Sequence, residues 1–361
     1  MRALLVFLAI ATTAALYLLL WPLPISPVAW DAPQDQGLID PYAANDRLDI
    51  MTIVDLEPFH GPEDIAFGFD GLLYAGTTDG KVISFQADGS DRRVFAETGG
   101  RPLGLDFAGG FLYVANAELG LQRIRKDGRV VVLSDSVDGS AIGYADDVAV
   151  ASNGQVYFTD ASTRFHAADW GGTYAASLLD IMEHGGHGRV LKYDPFSDQT
   201  TQIMDSLNFA NGIAVSEDQQ YLLINETGHY RIWRYWLQGP RTGESELIME
   251  NLPGFPDNLN NGLNGRFWVG LIAPRSELLD KYSGNPFIRK VMQRLPAMLR
   301  PKAVPSTHLL GIDGDGNVLM NLQDSKARFP AVTGAIESAQ NIYISSLFGN
   351  QIAVLRKLDL L

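Results

Sequence analysis

The chain has 361 residues, of which 46% are hydrophobic, so it is long enough to bury a large core. Its formal net charge is -14 at pH 7 and Lys and Arg do not cluster, which argues against nucleic acid as a partner because phosphate binding needs concentrated positive charge. The absence of Cys excludes disulfides and thiolate metal sites, so any metal must be held by oxygen or His, which favours a hard cation.

The N-terminus carries an apolar segment of the length that crosses a membrane. Residues 1–22 are predicted to form a signal anchor or transmembrane helix, because the run from Ala3 to Trp21 has no charged residue and about 20 apolar residues span a bilayer. A cleaved signal peptide is the alternative, although no small-x-small cleavage pattern follows the run. Either reading places the body outside the cytoplasm, in the periplasm or extracellular space. Residues 23–45, rich in Pro, Asp and Gln, are expected to be an extended tether.

Residues 46–361 show a pattern of short alternating strands separated by turn signals such as Asp79-Gly80 and Asp127-Gly128. Six similar units of about 40 to 50 residues follow one another, and radial repetition of such units builds a propeller. The predicted fold is therefore all-β, a six-bladed β-propeller preceded by the N-terminal helix.

One position in the repeat carries an oxygen-bearing side chain in four of the six copies. It lies eight residues before the Gly that opens the aromatic strand in three copies, and nine before Gln220 in the fourth. The four side chains are Glu63, Asp146, Asp257 and Asn211. The same position holds Pro102 and Val332 in the other two copies.

Equal register in different blades brings side chains to one end of the central channel, on loops that are expected to converge there. Three carboxylates at one place repel one another unless they are protonated or bind a cation. Ca²⁺ takes six to eight oxygen ligands and suits carboxylates mixed with Asn, whereas Mg²⁺ demands stricter octahedral geometry. The alternative is that these residues serve only as ordinary turn formers.

Two of the repeats are longer than the others and should contain insertions. The spacing between aromatic strands is 66 residues from Tyr157 to Leu223 (223-157) and 75 from Trp268 to Tyr343 (343-268). The second insertion includes 286–299, which has Lys and Arg on one side and apolar residues on the other. It is predicted to be a helix that lies over one face as a lid; contact with the membrane is the alternative.

Three segments carry a resemblance to a known family: Phe209-Ala210-Asn211-Gly212, Asn225-Glu226-Thr227 and Pro253-Gly254-Phe255-Pro256-Asp257-Asn258. They resemble the conserved region of strictosidine-synthase-like proteins, with most similarity to the adipocyte plasma membrane-associated protein group. The chain is more distantly similar to paraoxonases and to the gluconolactonase group. The resemblance implies a six-bladed propeller, Ca²⁺ at the channel mouth and hydrolysis of lactones or aryl esters.

Carried over residue by residue, the resemblance makes Glu63, Asn211 and Asp257 metal ligands, with Asn258 as a further ligand. Asp146 stands where paraoxonase-type members have Asn, and it adds negative charge. The catalytic Glu of the plant alkaloid synthases falls on Thr333, which argues against carbon–carbon condensation because that reaction needs a carboxylate for proton transfer.

The function that this sequence favours is calcium-assisted hydrolysis of a small-molecule ester or lactone. The resemblance makes Asp257 the general base, and His60, His166, His184 and His187 are the alternatives. A Gly-x-Ser-x-Gly nucleophile elbow is absent from the sequence. The second hypothesis is a non-catalytic propeller that holds structural calcium and binds a partner.

Overall fold

The computed structural model describes residues 1–360 and is built mainly from six four-stranded antiparallel sheets. The innermost strand of each sheet contacts the innermost strand of the next, and the last contacts the first, so the sheets form a closed ring. The predicted six-bladed β-propeller is confirmed.

The blades follow chain order, except that the first strand, β1 (Thr52–Asp55), belongs to the last blade. Blade 1 contains β2 (Ile65–Phe67), β3 (Leu73–Gly76), β4 (Lys81–Phe85) and β5 (Arg93–Glu97); blade 2 contains β6 (Pro102–Ala108), β7 (Phe111–Asn116), β8 (Gly120–Ile124) and β9 (Val130–Ser134). A hairpin of β10 (Ser136–Val137) and β11 (Ser140–Ala141) precedes blade 3, which contains β12 (Ala145–Val150), β13 (Val156–Asp160), β14 (Gly188–Asp194) and β15 (Gln199–Leu207).

The remaining blades complete the ring. Blade 4 contains β16 (Ala210–Val215), β17 (Tyr221–Glu226), β18 (Arg231–Trp236) and β19 (Ser245–Met249); blade 5 contains β20 (Gly254–Asn261), β21 (Phe267–Pro274), β22 (Thr307–Ile312) and β23 (Val318–Asp324). Blade 6 contains β24 (Val332–Glu337), β25 (Asn341–Ser346) and β26 (Gln351–Arg356), and β1 pairs with β26. Strands from both ends of the chain therefore close the ring.

The hydrophobic core lies in layers between adjacent blades. The inner strands are buried along almost their whole length, as in β16, where all six residues are buried. One cluster joins Trp268 of blade 5 to Val332 and Ile344 of blade 6. Neighbouring blades cover both faces of the inner strands. The sequences of these strands are therefore continuous apolar runs and do not alternate between polar and apolar residues.

Acidic side chains also join successive blades. Each of three buried or half-buried Asp carboxylates accepts a hydrogen bond from a backbone N–H of the next blade. The pairs are Asp64 with Leu105 at 2.8 Å, Asp106 with Val150 at 2.7 Å and Asp147 with Ile213 at 2.8 Å. These bonds fix the angle between neighbouring inner strands, which in turn fixes the site that they carry.

Both predicted insertions are present, and both lie at the same face of the propeller. The first, between β13 and β14, contains α2 (Thr173–Glu183); the second, between β21 and β22, contains α3 (Glu277–Lys281) and α4 (Pro286–Arg294). Asn285 caps α4 by accepting a hydrogen bond from the N–H of Ile288. α2 and α4 contact each other, so the two insertions form one cover.

The N-terminal helix, α1 (Arg2–Leu20), contains no buried residue. It is long and apolar enough to cross a membrane, in line with the prediction of a signal anchor or transmembrane helix.

The expectation of an extended tether at 23–45 is wrong, because this segment packs against the folded body. Ile25 is buried, and the N–H of Val28 donates to the carbonyl of Glu183 at 2.8 Å. The Trp30 ring stacks on His184 with 4.0 Å between ring centroids. The apolar side chains at 25 and 30 find partners on the insertions, so the segment lies across the covered face instead of extending away from it.

Candidate functional site

β-Bulges position the predicted site residues. The pairing of β12 with β13 shifts between Ala145 and Val148, which places Asp146 in the irregular part of the strand. Asn211 occupies the equivalent shift of β16, and Asp257 lies in that of β20. A bulge turns a side chain away from the regular alternation. The expected converging loops are therefore wrong for these residues, which belong to the inner strands; Glu63 alone lies just before its strand, β2.

Glycine next to a site residue allows two inner strands to approach closely. A Cβ on Gly212 would overlap the backbone of Asp257 and Asn258 in the next blade. Any larger residue would push β16 away from β20, so the Asn211-Gly212 pair combines a polar side chain with the room that it needs to reach Asp257.

Four of the predicted residues, three from bulges and Glu63 from the residues before β2, line one cavity of about 770 Å³. Its wall includes Glu63, Asp146, Asn211 and Asp257, all of which are buried from bulk solvent. Asn258 is also buried but lies behind the wall, where its amide nitrogen donates to the backbone carbonyl of Glu63 at 3.0 Å. The predicted residues are thus brought together, with Asn258 in a supporting position.

The negative charges of the carboxylates at this site repel one another. Burial raises the pKa of Glu63 well above its usual range, and the nearby carboxylates of Asp257 and Asp146 raise it further. Burial and then Asp257 raise the pKa of Asp146 in the same way. Burial raises the pKa of Asp257 to about 7, while its hydrogen bond from Asn211 works in the opposite direction. Without a cation, the site would therefore hold protons near neutral pH.

Several amide side chains are oriented so that their oxygen atoms stay free. The amide nitrogen of Asn211 donates to Oδ1 of Asp257 at 2.5 Å, and that of Asn225 donates to the backbone carbonyl of Asp257 at 2.6 Å. Within residues 1–360, the buried Oδ1 atoms of Asn211, Asn225 and Asn258 have no hydrogen-bond partner, and neither does Oε2 of Glu63. Buried polar atoms rarely remain unpaired. Of these four oxygens, those of Asn211 and Glu63 belong to residues of the cavity wall, where a ligand could pair with them.

The donor set fits a hard cation such as Ca²⁺ by its chemistry, because it consists of carboxylate and amide oxygens. In the described part of the chain, however, no group of three or more His, Cys, Asp or Glu side chains is arranged so that it could hold a metal ion. Carboxylates alone therefore do not form the site in this conformation, and the oxygen of Asn211 would have to complete it.

Sequence reasoning missed three residues near the carboxylates. Tyr144 lines the cavity and donates its hydroxyl to the carbonyl of Thr173 at 2.8 Å. Arg101 is buried, its charge lowers the pKa of both Glu63 and Asp146, and its Nη1 has no partner among the described residues. Asn225 falls in the Asn225-Glu226-Thr227 segment that carries the family resemblance, which was the available signal. Nothing in the repeat register pointed to Tyr144 or Arg101.

The histidines do not lie in the cavity. Of the residues that form its wall in the described structure, none is a His. His184 and His229 instead bond to each other at 2.9 Å beneath Trp30, and His187 bonds to Glu183 at 2.8 Å. The histidines are therefore excluded as alternatives to Asp257 for the role of general base in the cavity wall.

Thr333 lies beside the site but offers no acid. Its hydroxyl donates to the backbone carbonyl of Glu63 at 2.5 Å and contacts the Ser345 hydroxyl at 2.8 Å. The residue at the alkaloid-synthase acid position therefore helps to hold Glu63 in place.

The rest of the cavity is mainly apolar. The first two strands of blade 5 contribute Phe255 and Ile272, while the cover contributes Leu178, Met182 and Met292. Such a chamber excludes water from the carboxylate end and accommodates an apolar ligand.

Solved structures with this architecture include enzymes and a calcium-binding protein. A gluconolactonase from Xanthomonas campestris matches with a TM-score of 0.62 and 18% identity, covering 93% of this chain and 99% of that one. A calcium-binding regucalcin from Agrobacterium tumefaciens matches with a TM-score of 0.58 and 12% identity, covering 84% and 93%. At these identities the likeness establishes the fold class alone, a six-bladed β-propeller.

Sequence relatives define the family more narrowly. The strictosidine synthase model matches residues 146–240, and the strictosidine synthase-like N-terminal model matches residues 40–85. Strictosidine synthase-like protein 13 of Arabidopsis thaliana is 31% identical over 330 residues, covering 82% of this chain and 77% of the relative. The adipocyte plasma membrane-associated protein of Salmo salar is 34% identical over 327 residues, covering 83% and 76%. The chain belongs to the strictosidine synthase-like family.

Proposed function

We propose that this protein is a calcium-dependent hydrolase of apolar esters or lactones, anchored to a membrane with its body on the exported side. The observation that carries the proposal is that Glu63, Asp146, Asn211 and Asp257 line one mainly apolar cavity, in which Oε2 of Glu63 and Oδ1 of Asn211 have no hydrogen-bond partner among the described residues. The fold shared with a gluconolactonase supports the reaction class by analogy.

The cation would be held by Glu63, Asp146, Asn211 and Asp257, with Asn258 and Asn225 fixing the backbone around them. When bound, Ca²⁺ would supply positive charge that polarises the substrate carbonyl and stabilises the developing oxyanion.

Asp257 is the proposed general base. Its carboxylate removes a proton from water as the water oxygen attacks the carbonyl carbon; the acyl–oxygen bond then breaks, and the leaving alkoxide takes up the proton. The hydrogen bond from Asn211 fixes the Asp257 carboxylate in one orientation. Without a cation, burial raises the pKa of Asp257 to about 7. Bound Ca²⁺ would lower that pKa, which would keep the carboxylate ionised and able to accept a proton.

The apolar wall selects the substrate class. Phe255, Ile272, Leu178 and Met292 form a large apolar part of the wall, so the acyl or aryl part of the substrate is expected to be apolar. Three charged residues outside the carboxylate group also line the cavity: Arg275, Glu277 and Lys302. Each methylene that becomes buried contributes about 0.8 kcal/mol, or roughly a fourfold gain in kcat/KM, until the chamber is filled.

A panel of aryl esters and lactones of increasing chain length, assayed with calcium and with a chelator, tests the proposal. Turnover should require calcium, increase with chain length and disappear in Asp257→Asn, which keeps the shape of the side chain. A matched control is Asp205→Asn, which alters an exposed carboxylate on β15. If the wild type binds calcium but hydrolyses nothing in the panel, the protein is the non-catalytic scaffold instead.

A further inference from the structure

In the segment 286–305, which we call the cover segment, two arginines are buried while several large apolar side chains are exposed to solvent. Arg289 and Arg294 in α4 are 0% and 8% exposed, whereas Phe287 on the same helix is 56% exposed. Met298, Leu299 and Val304 beyond the helix are also largely exposed. Four large apolar side chains exposed within one segment of 20 residues are typical of a surface that contacts something other than water.

Buried arginines hold the segment in this orientation. The Arg289 guanidinium donates to three backbone carbonyls on different parts of the covered face: those of Met182, Val28 and Ser283. Because these acceptors come from α2, the N-terminal segment and the loop before α4, the helix cannot roll to bury Phe287 without breaking all three bonds.

The second arginine ties the cover segment to the N-terminal helix. Nε of Arg294 donates to the carbonyl of Trp21 at 2.7 Å, and its Nη1 donates to that of Leu18 at 3.1 Å. These carbonyls lie at the C-terminal end of α1, the helix that is long and apolar enough to cross a membrane. If α1 spans a bilayer, this end reaches the lipid surface, and α4 must lie at the same level.

The charge of the segment suits that position. It contains five basic residues and no Asp or Glu, although the chain as a whole has a net charge of -14. The basic residues are Arg289, Lys290, Arg294, Arg300 and Lys302. Arg289 and Arg294 are buried and bind backbone carbonyls, which leaves Lys290, Arg300 and Lys302 to meet phosphates. Lys and Arg beside apolar side chains are typical of segments at a membrane surface, where the apolar groups enter the acyl boundary.

We propose that the cover segment is a second membrane contact, in which Phe287, Met298, Leu299 and Val304 insert into the interface of a phospholipid bilayer beside α1. Met292, Pro301 and Val304 of the same segment also line the cavity. The cavity is therefore adjacent to the lipid surface. From this position we infer that the substrate is a membrane-soluble ester that enters the cavity from the bilayer, an inference that rests on the proposed function.

The chain's lack of Cys permits a direct test. The full chain is reconstituted in phosphatidylcholine vesicles and carries one environment-sensitive fluorophore on Met298→Cys, on the control Phe196→Cys or on Ala15→Cys within α1. Phe196 is 85% exposed, comparable to Met298 at 80%, but lies in the turn between β14 and β15, at the opposite end of blade 3 from the site. Spin-labelled lipid then reports which fluorophores lie in the bilayer.

The expected result is a blue-shifted, lipid-quenched fluorophore at positions 298 and 15, and a solvent-exposed, unquenched one at 196. Quenching at 15 without quenching at 298 would overturn the second contact while leaving the anchor intact. Absence of quenching at position 15 would show that α1 does not lie in the bilayer, and it would overturn this premise together with the proposal. A blue shift at 298 without lipid quenching would identify a protein partner and would also overturn it. None of these readouts depends on hydrolysis, so failure of the proposed enzyme activity is scored separately.

Discussion

The amide nitrogen of Asn211 in blade 4 donates to Oδ1 of Asp257 in blade 5 at 2.5 Å, and this bond leaves the amide oxygen of Asn211 without a partner in the described chain. The same contact therefore orients the proposed base and presents a neutral oxygen donor. It depends on the bulge in β16 and on the small residue at Gly212.

Asn211→Ala should weaken calcium binding. The substitution removes one oxygen and frees the Asp257 carboxylate to rotate, and losses of about 10- to 100-fold are usual when a metal site loses an orienting partner. Isothermal titration calorimetry measures the change. Asn153→Ala, in a turn at the far end of blade 3, is the matched control and should leave the affinity unaltered. Equal affinity in the two variants would exclude Asn211 from the site.

Calcium should stabilise the folded protein, because it offsets the repulsion that raises the pKa values of Glu63 and Asp146. At a concentration of 100 times Kd, the free energy of unfolding should rise by about 2.7 kcal/mol. Differential scanning calorimetry with calcium, magnesium or a chelator checks this effect, and calcium should give the largest increase in Tm. Identical transitions in calcium and in chelator would argue against a cation at the carboxylates.

Asp180 should make folding stability depend on pH. Burial raises the pKa of this α2 carboxyl from its usual 3.8 to about 7, although it accepts a hydrogen bond from Ser162 at 2.6 Å. The folded state thus holds the proton more tightly than the unfolded state. Its contribution to stability is complete below about pH 4 and is lost as the pH rises through about 7.

Asp180→Asn imitates the protonated acid, so its advantage over the wild type should be small at pH 4 and grow by about 1.4 kcal/mol per pH unit toward neutrality. Urea unfolding of both proteins across this range measures the difference, in which the other titrating groups cancel. Asp205→Asn, an exposed substitution, serves as control. A difference that does not vary with pH would mean that Asp180 is ionised in the folded protein.

Arg289→Met should loosen the cover. The change leaves the carbonyls of Met182, Val28 and Ser283 without their donor, at a cost of about 1 to 3 kcal/mol for each that stays buried and unpaired. Limited proteolysis should then cleave the cover segment and the neighbouring residues 23–45 faster than in the wild type. Arg289→Lys, which keeps one donor group, should give an intermediate rate. Unchanged cleavage in the Met variant would show that the arginine does not hold these segments together.

The sequence was sufficient for the repeat and for the residues that occupy its recurring position. Glu63, Asp146, Asn211 and Asp257 share a register, and the closed ring converts equal register into proximity. The register could not reveal the bulges, since a bulge depends on how a strand pairs with its neighbour and not on the order of its own side chains.

Contacts between distant segments were also beyond sequence reasoning. Pro and Asp between residues 23 and 45 suggested a spacer, but Ile25 is buried and Trp30 is half-buried against partners that lie far along the chain. The helix predicted over 286–299 begins at Pro286 as expected but ends at Arg294, before a separate 3-10 turn at Ala297–Leu299. The burial of Arg289 was not predicted, because it depends on three backbone carbonyls from separate segments.

A crystal structure grown in calcium, with anomalous scattering used to locate the ion, tests the central claim most directly. We expect one calcium in the cavity, bound by carboxylate oxygens of Glu63, Asp146 and Asp257 and by the amide oxygen of Asn211. A cavity without an anomalous peak at millimolar calcium, or a calcium bound only at the protein surface, would contradict the proposed site.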